Sequence, residues 1–161
     1  QIQYNYMDTA LQATTEGLQY AHNKGIATII MEPLKGGALA NPPDEALEIM
    51  QAAGNGRTPV DWALQFLWNR PEVATVLSGM GSQQMVDENC ASADRSGIGS
   101  LSAEEEQVIA QLADIIRDAV GWRGSFFFDR SKPDGALQKL LDGARFRQRT
   151  GWSPGTSLRI G

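Results

Sequence analysis

Thiol and imidazole are scarce in this chain of 161 residues, which has one cysteine, Cys90, and one histidine, His22. A lone cysteine excludes a disulfide framework and any iron–sulfur cluster held by cysteines of this chain. One cysteine and one histidine also leave no metal cluster and no histidine-based triad, so no metal is expected. His22 lies late on an expected helix beside Asn23 and Lys24 and is read as a structural or exposed residue. No apolar run approaches the ~20 residues that a membrane span needs, and no charged-then-apolar leader opens the sequence. A reducing, cytoplasmic setting without a membrane partner is the expectation. Apolar residues make up 42% and charged residues 20%, so the chain has enough core-forming material to fold. It lacks the length of a complete eight-stranded α/β barrel, about 250 residues. Gln1 stands inside an expected strand, which predicts a piece of a longer protein.

Charge is divided unevenly. Residues 1–110 hold 14 acidic and 5 basic side chains, and residues 111–161 hold 5 acidic and 9 basic, so a segment of −9 meets one of +4. Such asymmetry fits a modestly basic tail on an acidic domain, or segments of different origin. The basic residues are scattered among Gly, Pro and Asp without a series of aromatics, and nucleic-acid binding is not expected.

Hydrophobic pattern and punctuation predict the order β-α-β-α-α-β-α over the first two-thirds. A strand is expected over Ile2–Met7. A helix capped by Thr9 follows, with Leu11, Thr14, Leu18 and Ala21 inward and Gly25 as its left-handed stop. The β-branched run Ile26–Met31 and the run Val73–Leu77 predict strands covered on both faces. Helices are expected from Asn41-Pro42-Pro43-Asp44 to Ala53, and over Val60–Asn69 behind Thr58-Pro59. Another follows Ser82 as far as Ala93. The capping box Ser102-Ala103-Glu104-Glu105 opens the last, with Val108, Leu112, Ile115, Ile116 and Ala119 on one face and Gly121 as its end. Trp62, Phe66 and Trp68 read as core. The remaining residues suggest a small α+β tail: a strand at Phe126–Phe128, a turn at Lys132–Gly135 and a short helix at Leu137–Leu141. Strands alternating with helices mean a parallel sheet with right-handed crossovers. Three parallel strands leave two open edges, which points to part of a larger barrel or sheet.

In a parallel α/β structure ligands sit beyond the C-terminal ends of the strands. Three such ends occur: Asn5–Asp8, Met31–Gly37 and Ser78–Ser82. The glycines of Ser78-Gly79-Met80-Gly81-Ser82 permit close approach of backbone N–H groups, and a helix N-terminus follows. The turn reads as a phosphate site or as an ordinary strand-to-helix connection; it has neither the P-loop ending nor the G-x-G-x-x-G spacing. Lys35 beside Gly36 and Gly37 could balance a pyrophosphate or sit solvated. Glu32 could orient a substrate or pair with Lys35, and a single carboxylate there does not define acid–base catalysis.

The strings Gln1–Asp8, Met31-Glu32-Pro33-Leu34-Lys35-Gly36-Gly37, Thr58–Leu64 and Val76–Ser82, with Asp87-Glu88-Asn89, occur in this order. Together they resemble the C-terminal half of an aldo/keto reductase over about residues 1–108. The closest likeness is to the bacterial and archaeal oxidoreductases that often carry an iron–sulfur segment. The resemblance implies an α/β fold, a partial (β/α)₈ TIM barrel holding strands six to eight with their helices, and NADP(H) as cofactor, with NAD(H) as the alternative. It implies cofactor contacts at Gln1 and Met31 near the nicotinamide and at Leu34, Lys35 and Gly36 along the pyrophosphate. It further implies Gly79, Gly81 and Ser82 near the adenosine phosphate, and Glu88 and Asn89 near the adenine. Met85 stands where many members have Arg or Gln, which opens the choice between NADP and NAD. The family's catalytic Asp, Tyr, Lys and His belong to the first half of the barrel, so no catalytic residue is expected here, nor is the iron–sulfur segment.

The tail strings Gly121-Trp122-Arg123-Gly124, Phe128–Gly135, Lys139-Leu140-Leu141-Asp142 and Gly151-Trp152-Ser153-Pro154 resemble the C-terminal end of GDP-L-fucose synthases over residues 109–161. These are extended short-chain dehydrogenases, and the likeness implies that Asp134 belongs to a nucleotide-sugar site. The expected organisation is therefore a reductase-like part, 1–108, and a synthase-like part, 109–161. Three readings follow: an inactive piece of an NADP-linked reductase that holds dinucleotide weakly, a half-barrel module that self-associates or pairs with its missing half, and a remnant of a GDP-sugar oxidoreductase.

Overall fold

A computed structural model of the chain describes residues 1–119 and Gln148. Three parallel strands, β1 (Ile2–Gln3), β2 (Thr28–Met31) and β3 (Val73–Val76), lie side by side in chain order. Ile2 stands opposite Ile30, Gln3 opposite Met31, and Ile30 opposite Val76. Among the described residues five α-helices and a 3₁₀ turn (Ala38–Ala40) connect and follow them: α1 (Thr14–Asn23), α2 (Asp44–Ala52), α3 (Pro59–Trp68), α4 (Gln83–Asp94) and α5 (Ala103–Ala119).

Local chemistry explains most boundaries. Thr58 Oγ1 accepts from the Asp61 N–H at 3.1 Å with Pro59 at the first helical position, so α3 starts as its sequence dictates. Ser82 caps α4 in the same way through the Met85 N–H. At α5 the box is reciprocal. The Glu105 N–H donates to Ser102 Oγ, and the Ser102 N–H donates to Glu105 Oε2 at 3.0 Å. Burial alone would raise the Glu105 carboxyl, but the Ser102 N–H, Arg57 and Asn55 together hold it below its ordinary value. Gly25 takes φ +70° after α1, and the Ile26 N–H closes on the Ala21 carbonyl at 2.9 Å.

Two expected boundaries move by several residues, while β2 starts two residues late and β3 ends one early. β1 ends at Gln3 rather than Met7 because Asn5 Oδ1 captures the N–H groups of Met7 and Asp8, each at 3.0 Å, and turns the chain. α1 begins at Thr14 rather than behind Thr9. Gln12 takes φ of +53°, which no helix can pass through, and Thr14, at φ +61°, is where α1 starts. Thr9 contributes its carbonyl, to the Thr15 N–H at 2.9 Å, and not a side-chain cap.

Side chains alternate across the sheet, so one face carries Ile2, Tyr4, Ile30 and Val76. α1 and α3 cover it: Tyr4, Ile30, Leu18 and Leu67 are fully buried together. On its other side α3 packs against α2 and α5, burying Trp62, Ala63, Met50, Ile109, Leu112 and Ile116. Val108 and Ile115 pack at the margin of that cluster, so the inward face of α5 is the expected one. Phe66 joins the two clusters, its ring stacked on Tyr4 at 6.0 Å and edge-on to Tyr6 at 6.1 Å.

The opposite face of the sheet, with Ile29 38% and Leu77 45% exposed, is uncovered by any described element. Ile26, Ala74 and Thr75 are also exposed. The two apolar strands expected to be covered on both faces are thus covered on one. Among the described residues no strand pairs with the outer edge of β1 or of β3. No described helix is long and apolar enough to cross a membrane. Gly121, the strand at Phe126–Phe128, the turn at Lys132–Gly135, the helix at Leu137–Leu141 and Asp134 lie outside the described residues.

Leu67→Ala removes a fully buried side chain between α3 and the sheet. It is expected to lower the unfolding free energy by about 3 kcal/mol, against about 1 kcal/mol for loss of the cap in Thr58→Ala. Urea denaturation followed by circular dichroism measures both.

Candidate functional site

The C-terminal ends of β1 and β2 are locked together by one buried amide. Asn5 is fully buried and uses both ends of its side chain. Its Nδ2 donates to the Glu32 carbonyl at 3.0 Å and to Asp8 Oδ2 at 3.1 Å, while Oδ1 accepts the two N–H groups that turn the chain after β1. Sequence reading placed Asn5 at a strand end without giving it a role. Its signal was there: an Asn with two hydrogen-bonding capacities, just where a strand must turn.

Beyond β2 the chain makes a tight, strained turn. Glu32, Lys35, Gly36 and Gly37 take φ of +53°, +49°, +64° and +90°. Residues held in this region cluster where the surroundings over-determine them, often at ligand sites. Lys35 Nζ lies 2.5 and 2.7 Å from the two oxygens of Asp8. The Gly36 N–H donates to Glu32 Oε2 at 2.5 Å. Glu32 therefore closes its own turn and does not pair with Lys35; the partner of Lys35 is Asp8, from the end of β1. Leu34 packs its side chain against the core under the turn, and its carbonyl accepts from Gly37 and Leu39.

Gln1 precedes β1 and is exposed; by strand alternation it shares the uncovered face with Gln3, Ile29 and Met31. Met31 is half-buried at the end of β2. The third strand end is open. Neither Gly79 nor Gly81 takes a positive φ, and a Cβ at either would meet nothing within 4 Å. Neither backbone strain nor packing against the described residues calls for glycine there, and both positions face open space. Ser82 caps α4, Asn89 Nδ2 donates to Ser78 Oγ at 3.3 Å, and Glu88 accepts from Gln84 at 2.7 Å. Met85 lays its sulfur 3.4 Å from the Gly81 nitrogen. Among the described residues no group of three or more His, Cys, Asp or Glu could hold a metal.

The structure thus brings Lys35, Gly36 and Leu34 into one turn, and Gly79, Gly81, Ser82 and Asn89 into another. It gives Asn5 and Asp8, named in the sequence only as part of a strand end, specific partners there, and it turns Glu32 onto the Gly36 N–H rather than onto Lys35.

Comparison with known proteins agrees with this architecture. The Aldo/keto reductase family pattern matches residues 1–113. A solved aldo-keto reductase from Bacillus halodurans, in its holo and apo forms, superposes with a TM-score of 0.53 at 23% identity over 69% of this chain. This chain covers 41% of the holo structure and 42% of the apo structure. The chain belongs to the aldo/keto reductase family, a family of oxidoreductases. Part of it also resembles GDP-L-fucose synthases. It is 47% identical over 62 residues to that of Sinorhizobium fredii and 36% identical over 62 residues to GDP-L-fucose synthase 1 of Arabidopsis thaliana. Those matches span 38% of this chain and only 19% of either synthase. Only 48 residues lie beyond residue 113, fewer than the synthase match spans, so the two likenesses overlap.

Two measurements test the strand-end geometry. Asn5→Ala leaves the Met7 and Asp8 N–H groups and the Glu32 carbonyl without their partner, and is expected to cost about 2–3 kcal/mol in urea denaturation. Next to it, burial pushes the Tyr6 hydroxyl up to about 12 from 10.0. Because the folded value is the higher one, the folded state keeps this proton after the unfolded chain has lost it. Stability is full below pH 10 and is expected to fall between pH 10 and 12, by about 2–3 kcal/mol at the upper end. Tyr6→Phe should flatten that slope.

Proposed function

We propose that the turns after β2 and β3 form one wall of a nicotinamide-dinucleotide site in an oxidoreductase acting on carbonyl compounds. The open turn at Gly79 and Gly81, together with membership of the aldo/keto reductase family, supports this reading. In it Gln1 and Met31 lie beside the nicotinamide, and Leu34, Lys35 and Gly36 beside the pyrophosphate. Gly79, Gly81 and Ser82 take the adenosine phosphate, and Glu88 and Asn89 flank the adenine. The dinucleotide, when bound, supplies or accepts the hydride; the residues of this chain bind and orient it. The uncovered sheet face is the inner wall of a partial barrel made of strands six to eight.

This chain by itself supplies no catalytic group, because the family's Asp, Tyr, Lys and His belong to the other barrel half. It covers 41% of the solved holo reductase it resembles. The bare face and the two unpaired edges also favour closure of the sheet, by a second copy or by a chain bringing the remaining strands. Sedimentation is expected to show association; a stable compact monomer would count against closure. We place the joint between the reductase-like and synthase-like parts at 108/109, within α5, where both families place an amphipathic pattern, with Asp134 in a remnant of a nucleotide-sugar site.

Cofactor choice is NADP(H) by the resemblance, with NAD(H) as the alternative. Glu72–Asp94 contains no Lys or Arg, and Met85 occupies the Gly81 N–H, so no cation on α4 awaits an extra phosphate. Fluorescence titration with NADPH and NADH tests the site. Weak binding of both is expected, and Met85→Arg should favour NADPH by about fivefold. Affinity as high as that of a complete reductase would overturn the incomplete site.

A further inference from the structure

The turn after β2 offers an anion the Lys35 ammonium and the Gly36 N–H, and the chain's own carboxylates occupy both. Asp8 takes the Lys35 ammonium with its two oxygens, and Glu32 takes the Gly36 N–H. Neither contact is incidental to the local backbone. Asp8 comes from 27 residues away and is held in place by Asn5. Glu32 and Lys35 both sit in the left-handed region, where a side chain rests only if its neighbours hold it. Lys35 is 43% exposed, so its ammonium remains within reach of a ligand. Asp8, Glu32 and Lys35 sum to one negative charge, and an approaching anion is repelled until a carboxylate gives way.

We propose that Asp8 and Glu32 set the ligand selectivity of this turn, by standing where the two linked phosphates of a dinucleotide are received and being exchanged for them. The proposal rests on reading the turn as phosphate-facing. A single phosphate displaces one carboxylate and remains beside the other, a like-charge contact that opposes binding. A pyrophosphate displaces both. Its second phosphate is delivered by the first at high effective concentration. The carboxylates thus admit paired phosphates and refuse single ones.

The experiment is calorimetric titration of the full chain, at low ionic strength, with inorganic pyrophosphate and with inorganic phosphate. Variants Asp8→Asn, Glu32→Gln, the double variant and Lys35→Met are compared, each checked for folding by circular dichroism. The unaltered chain is expected to bind pyrophosphate in preference to phosphate. Asp8→Asn and Glu32→Gln should each tighten binding of phosphate by about fivefold. The double variant should lose most of the preference, and Lys35→Met should lose binding. If either carboxamide variant binds more weakly than the unaltered chain, or if selectivity is unchanged in both, the exchange is overturned while the turn remains an anion site. If neither the unaltered chain nor any variant binds pyrophosphate, the phosphate-facing reading itself falls. Glu32→Gln leaves the Asn5–Asp8 pair untouched, so it keeps the test valid should Asp8→Asn fail to fold.

Discussion

A parallel sheet of three strands is covered on only one face by the helices that connect it. Both crossovers lie on the same side, so α1 and α3 bury Tyr4, Ile30 and Leu67 there and leave Ile29 and Leu77 bare on the other. Every other feature follows from that asymmetry. The core thickens outward, from the sheet to α3 and on to α2 and α5, with Phe66 bridging its two parts. The strand ends that carry polar turns border the uncovered face. The two outer edges stay unpaired because no described segment reaches them.

Helix α3 is the element through which the layers communicate. It is mostly apolar, and Asp61 and Gln65 are its polar exceptions. That carboxylate is buried with Ser92 and Gln65 and meets Arg57 and Arg95 at its rim. Arg57 also reaches Glu105 at 2.9 Å, so one ionic group ties α3 and α4 to the start of α5. α4 buries only Ser92, so this polar seam secures a helix that has little apolar surface to offer the core.

Much of the fold was legible in the sequence because its signals are short-range. Thr58-Pro59, Ser82, Ser102 with Glu105, and Gly25 mark helix ends by chemistry that operates within four residues, and each does so in the structure. Thr9 shows where such reading stops. A hydroxyl before an apolar run looks like a cap, but the positive φ at Gln12 holds the chain out of the helix until Thr14. The continuous apolar runs at Ile26–Met31 and Val73–Leu77 were equally deceptive about burial. They report what a complete sheet would bury, and the described residues cover half of it.

The site divides in the same way. Composition and spacing, acting alone, excluded disulfides within the chain and metal sets built on several cysteines or histidines, marked the glycine turns, and placed Lys35 and Gly81 at strand ends. Those conclusions need nothing but residue identity and local order. Which groups touch was settled by tertiary structure. Lys35 pairs with Asp8 rather than with Glu32, three positions away, because Glu32 points at the Gly36 N–H and Asn5 carries Asp8 across from the neighbouring strand. A contact between residues 27 apart depends on strand pairing, and strand pairing is a property of the whole sheet that no local signal carries.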